Sequence, residues 1–246
     1  LRQVTVYPEG APPAVTERFL KTVEDVERLI AWFETLRVVK RPKRLEEVRR
    51  VRERLGDRGV VFCRIEGTPL GMCYRVYAHL EDLIYLLADH PEVMENLFEI
   101  MEDRYEAHLK VLLEIAPEID VFMGMDDTST TLISPAMFER YSVEPTNRRA
   151  DLCHAHCKLY LHHSCGLIRD LLPVYRKTRM DGVDAFTPPP TGNVTYSEGR
   201  RLLGPRISLR SGLAGGLRGV TDPVCIREHV EERMRDALSA GSVVFL

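Results

Sequence analysis

The run Leu159-Tyr-Leu-His-His-Ser-Cys-Gly166 decides how the rest of the chain is read. Strict alternation places Leu159, Leu161, His163 and Cys165 on one face of an extended segment and Tyr160, His162 and Ser164 on the other. A strand is therefore predicted over Leu159 to His163, with Gly166 free to turn the chain after it. Helical spacing flanks this strand on both sides. Ser134-Pro135 to about His156 reads as one helix before it, and Leu167 to Lys177 as another behind it.

The same alternation extends outward. Upstream, Gly59 to Ile65 is an apolar run bounded by glycines, and Asp120 to Met125 is another; both read as buried strands. Between them Pro91 opens a helix whose stripe of Met94, Leu97, Met101, Tyr105, His108 and Leu112 recurs at spacings of three and four and ends near Pro117. Downstream come a strand at Val183 to Thr187, a helix at Tyr196 to Leu203, a strand at Arg206 to Leu209, a helix at Asp222 to Ala240 and a strand at Val243 to Leu246. Residues 15 to 36 and Arg44 to Leu55 read as two helices ahead of the first strand, and Val4-Thr-Val6 as a short seventh strand.

Six strands alternating with helices over short connections call for a parallel sheet. Their apolar character favours an α/β (β/α)8 TIM barrel over an open doubly wound sheet. The expectation is one domain over 1-246, with a helical part at 1-58 and an alternating core at 59-246. The barrel is short of one or two strands, which together with the non-Met start predicts that flanking sequence is missing at the N-terminus and just past the last strand.

Composition narrows the function classes. The 246 residues are 44% hydrophobic, enough for one large core. Acids outnumber bases 37 to 34, which argues against nucleic acid as a partner held by counterion release. Apolar runs such as Leu83 to Ala88 fall far short of the ~18 residues of a membrane helix, so no membrane partner is expected. Six unevenly placed cysteines do not make a disulfide framework, and a cytoplasmic location follows as the expectation.

In a barrel, reactive groups come from the carboxyl ends of strands. His163 and Cys165 stand there together, offering zinc the nitrogen and sulfur donors it prefers; a buried polar pair is the plainer alternative. His162 faces the helix layer. The Cys153-His154-Ala155-His156-Cys157 cluster closes a helix that runs back to the opposite end of the barrel, roughly 20 Å from His163, and reads as a helix end with semi-buried thiols. Asp126 and Asp127 end the strand at Met125. One of them can orient a ligand, assist proton transfer or hold a histidine of the metal shell, or it can cap the loop from Thr128 to Thr131. Thr191, Gly192 and Asn193 follow three prolines in a stiff loop, as substrate-binding candidates or as a rigid connection. Arg37 to Arg58 holds ten Lys or Arg against four acids: a solvated helix face, or an attraction for an anionic partner.

Three motifs occur together: His163-Ser-Cys165-Gly166 after a strand, Asp126-Asp127 followed by Ile133-Ser-Pro135, and Asp184-Ala-Phe-Thr-Pro-Pro-Pro-Thr-Gly192. In order and spacing they resemble the uroporphyrinogen decarboxylase superfamily over about residues 59 to 246. The HxCG sequence is similar to the branch containing methylcobamide:coenzyme M methyltransferases. That resemblance implies zinc held by His163 and Cys165, a small-molecule thiol or similar acceptor, and methylcobamide as methyl donor, carried by a separate corrinoid protein. It also implies a third ligand from a cysteine shortly after the last strand, beyond Leu246; Cys225 lies in the preceding helix and is a poor substitute. Two other readings stand beside it. One is decarboxylation of a porphyrinogen in tetrapyrrole biosynthesis, although the arginine-bearing amino-terminal motif of those decarboxylases is not seen. The other is a barrel that binds a small molecule or a corrinoid protein without catalysis.

Overall fold

The structure is a computed structural model that describes residues 1–40, 42–212, 220–241 and 243–245. Its first element is an antiparallel hairpin of β1 (Val4–Val6) and β2 (Ala14–Glu17). This corrects two expectations. Val4–Val6 is no barrel strand, and the helix expected from residue 15 starts only at Val23, where the Thr22 hydroxyl accepts from Asp25 N and caps α1 (Val23–Thr35). α2 (Pro42–Leu55) follows.

The barrel begins at β3 (Phe62–Glu66), later than the Gly59 boundary the apolar run suggested. After it come α3 (Pro69–Met72), a π-helical turn (Cys73–Tyr77), α4 (Leu80–Asp89) and the long α5 (Pro91–Ile115). Beyond β4 (Val121–Met125) the single helix expected from Ser134 to His156 is two, α6 (Pro135–Tyr141) and α7 (Val143–Ala155). Pro145 explains the break. It has no N–H for the Tyr141 carbonyl four residues back, and its ring crowds that carbonyl, so the chain kinks at Ser142.

β5 (Leu159–His163) matches its expected bounds. The helix expected over Leu167 to Lys177 contracts to a 3-10 turn (Arg169–Leu171) and α8 (Leu172–Tyr175), with Pro173 limiting it in the same way. β6 (Gly182–Asp184), α9 (Tyr196–Leu203), β7 (Ser208–Ser211), α10 (Pro223–Ala240) and β8 (Val243–Phe245) complete the series; Leu246 lies outside the described residues. No helix among the described residues is long and apolar enough to cross a membrane.

The six strands pair in parallel and in chain order, β3-β4-β5-β6-β7-β8. A doubly wound sheet would reverse its order at some strand; an unbroken order with helices between successive strands is the winding of a TIM barrel, here a partial one. Register sets one row abreast: Glu66 opposite Met125, Met125 opposite His163, His163 opposite Asp184, Asp184 opposite Arg210. Beneath that row Val121, Met123, Leu161 and Phe62 fill the interior, capped by Met125 of the row itself, while the main core lies between the outer face of the sheet and the helices.

One buried ion pair ties helices to sheet. Arg149 on α7 makes two hydrogen bonds to Glu102 on α5 and donates to the Glu66 carbonyl of β3 at 2.7 Å. Both side chains are buried, and α5, α7 and β3 meet nowhere else through a charged group of this depth among the described residues. Removing one partner strands the other charge without water. Arg149→Ala is therefore expected to destabilise the fold by about 3–5 kcal/mol, read as a lower denaturation midpoint in urea. Loss of under about 1 kcal/mol would assign the helices' anchoring to apolar packing alone.

Candidate metal centre

His163, the last residue of β5, sits between two carboxylates. Its Nε2 is 2.8 Å from Asp127 Oδ1 and its Nδ1 is 2.5 Å from Asp184 Oδ2. Each carboxylate uses its other oxygen on an arginine: Asp127 Oδ2 accepts from Arg75 Nε at 2.6 Å, and Asp184 Oδ1 from Arg210. The result is an alternating chain, Arg75–Asp127–His163–Asp184–Arg210, drawn from the π-helical turn and four strand ends. Cys165 stands beside it, with Sγ 4.0 Å from Asp127 Oδ1. One ligand atom from each of Asp127, His163 and Cys165 lies within 4.8 Å of the others.

Local backbone explains the convergence. Asp127 adopts φ +54°, a left-handed conformation that costs an L-residue about 1–2 kcal/mol. Here the Arg75 guanidinium anchors the side chain that this turn presents, and Arg75 also donates to the Met125 carbonyl. Gly166, at φ +90°, supplies the turn after Cys165 without that strain.

The neighbouring acid goes the other way. Asp126 is 1% exposed, accepts from the Thr68 amide at 2.8 Å and from the Thr68 hydroxyl, and lies 3.3 Å from His162 Nδ1. His162 is buried against Phe138 and Tyr175, with Nε2 2.8 Å from the Thr128 hydroxyl. Of the two candidate acids, the structure thus brings Asp127 to His163 and places Asp126 in the wall behind the strands.

The prolyl loop supports the site from beside it. Asn193 Oδ1 accepts from the amides of Ile168 and Arg169, at 2.9 and 3.1 Å, holding the loop that follows Cys165. Gly192 is buried so closely that a Cβ would stand 1.6 Å from the Thr187 carbonyl oxygen and 3.0 Å from that of Gly166. Thr191 is exposed at the tip. Cys153 is buried on α7 and Cys157 is exposed; neither joins the cluster.

Sequence reading missed the partners. Asp184 carries a signal, an acid closing a strand just as Asp126-Asp127 closes β4. Arg210 likewise stands one residue before the end of β7, opposite Asp184. Arg75 has none, because its place depends on a π-helical turn that no spacing rule identifies.

Electrostatics follow the geometry. Burial pushes the His163 imidazole down, but hydrogen bonds to Asp127 and Cys165 and the charge of Asp127 outweigh it and hold the ring up at about 9. Asp127 is lowered to about 2, first by the hydrogen bond from His163, against burial, and with help from Arg75.

Comparison with known proteins agrees with this architecture. Residues 4–204 match the family described as Uroporphyrinogen decarboxylase (URO-D). Among solved structures, a methyltransferase from Methanosarcina mazei superposes with a TM-score of 0.67 at 15% identity, over 99% of this chain and 68% of that one, a likeness of fold. A Streptomyces avermitilis protein provisionally assigned as an orotidine 5'-phosphate decarboxylase (TM-score 0.36, 13% identity, 80% of this chain and 67% of that one) and a methylornithine synthase (0.35, 12%, 92% and 82%) are far more distant. No curated protein matches the sequence.

The ion pair predicts a pH window for the metal-free chain. A histidine raised from 6.5 to about 9 contributes stability that is fully present below 6.5 and lost as pH rises through 9. The lowered Asp127 contributes stability present above 3.8 and lost as pH falls towards 2. Both describe one interaction. In NMR titration of chelator-treated protein the His163 midpoint should lie near 9, and Asp127→Asn should bring it down towards 6.5; an unchanged midpoint would remove Asp127 as the cause.

Proposed function

The chain belongs to the uroporphyrinogen decarboxylase family, and from that premise we propose that it is a zinc-dependent methyltransferase moving a methyl group between a corrinoid and a thiol or similar acceptor. The observation that carries this reading is the convergence of Asp127, His163 and Cys165 at the carboxyl ends of the strands. Nitrogen, sulfur and carboxylate oxygen are zinc's donor types, and neighbouring ligands of one tetrahedral ion stand roughly 3–4 Å apart, a spacing bracketed by the 2.8 and 4.0 Å contacts of Asp127. Asp127 stands here as the third donor, in place of the cysteine that the resemblance implied beyond Leu246, and three protein donors leave a fourth position for substrate, as in catalytic rather than structural zinc sites.

Bound there, zinc would supply the Lewis acidity that lets a substrate thiol react as thiolate at neutral pH. The protein's own groups prepare that chemistry. His163 can offer Nε2 to a cation only while Nδ1 keeps its proton, and Asp184 accepts from Nδ1. Arg210 holds Asp184 in turn. Arg75 takes one oxygen of Asp127 and leaves the other turned to His163. Cys165 contributes as thiolate, releasing its proton on metal binding. A separate corrinoid protein would present the methyl donor at the open end of the strands.

Metal content, metal affinity and activity each test the reading. Purified protein, prepared without chelators, should carry about one zinc per chain by elemental analysis, and Cys165→Ala should lose most of it. Asp184→Asn should weaken zinc by about 10–100-fold in chelator competition. With methylcobalamin and a thiol the enzyme should form the methyl thioether. Absence of zinc would remove this mechanism, and conversion of uroporphyrinogen to coproporphyrinogen would replace it with decarboxylation.

A further inference from the structure

A concavity beside β3 includes none of Asp127, His163 and Cys165. It is about 640 Å³ in volume and is framed by the end of α1, the segment 36–40 that leads to α2, the first turn of α2, and one face of α5. That size falls within the roughly 300–1,000 Å³ of small-molecule sites. Its floor is apolar, built from Phe33, Leu36, Val111, Leu112 and Ile115.

Its charges are unbalanced. Arg37, Lys40, Arg44 and Arg104 line it, against a single acid, Glu66. Glu66 already has a partner: both its oxygens lie within 3.1 Å of His108 Nδ1, and each group favours the other's charged form, the carboxyl below and the imidazole above its ordinary value, each against the pull of burial. The four cations have no carboxylate within ion-pair distance among the described residues. Arg37 and Arg104 donate to main-chain carbonyls of Phe33, Glu34 and Leu36, which orients the guanidinium groups and leaves their charge unmatched. These four cations stand around an apolar floor with no free acid beside them to balance their charge, in a chain whose net charge is -3.

We propose that this pocket is a binding site for a small amphipathic anion, a carboxylate on an apolar chain. The body would cover the Leu112 and Ile115 floor, and the carboxylate would sit among the cations at the rim. Neither half suffices by itself. A bare inorganic anion gains no apolar burial, and a neutral chain leaves the cations unmatched.

Decanoate is the probe, with decan-1-ol and inorganic phosphate as controls for the two halves. In calorimetric titration of the intact chain, decanoate should bind at one saturable site with Kd below about 1 mM, more weakly as salt rises, and should shift the His108 ring signals in NMR. Lys40 and Arg44 are exposed and make no carboxylate contact, so Lys40→Glu combined with Arg44→Glu should leave thermal unfolding unchanged while weakening decanoate about tenfold or more. An unchanged affinity in that double variant overturns the proposal. So does decan-1-ol binding as tightly as decanoate, a His108 signal indifferent to ligand, or no saturation.

Discussion

Parallel pairing in strict chain order is the constraint on which the rest of this structure depends. It points the carboxyl ends of six strands the same way, so that residues distant in sequence become lateral neighbours. Met125, His163, Asp184 and Arg210 come from four strands spread over more than a third of the chain, yet register alone sets them side by side. Connecting helices must then pack on the outer face, where the Arg149–Glu102 pair joins α7, α5 and β3.

Alternation does the rest of the sorting. His162 and His163 are adjacent in sequence and opposite in role: one is wholly buried against Phe138 and Tyr175, the other is held between two carboxylates at the strand ends. Asp126 and Asp127 divide in the same way, but the pleat has ended there. What separates them is the left-handed turn at Asp127 and the Thr68 groups that capture Asp126. Such pairs show why a motif quoted as adjacent letters understates its chemistry.

The site itself is an electrostatic chain rather than a set of isolated ligands. Each carboxylate is shared between His163 and an arginine, so no acid in the row is left to repel its neighbour. This balance lets two acids, an imidazole and a thiol gather within a few ångströms. It also accounts for the opposed shifts of His163 and Asp127, which are one hydrogen-bonded pair seen from its two ends.

Much of this was legible without coordinates. Periodicity alone located all six barrel strands, the long helix from Pro91, and the shared face of His163 and Cys165, because period two and period 3.6 are properties of the backbone. Periodicity could not tell a short antiparallel hairpin strand at Val4–Val6 from a barrel strand, since a strand's partner lies elsewhere in the chain. It also overran Pro145 and Pro173, where a missing N–H outweighs an apolar stripe. The choice of Asp127 over Asp126, and the recruitment of Asp184, Arg210 and Arg75, belonged to tertiary structure. Those contacts span 21 to 52 residues of sequence, and they exist only because parallel register and one π-helical turn bring charged ends to the same place.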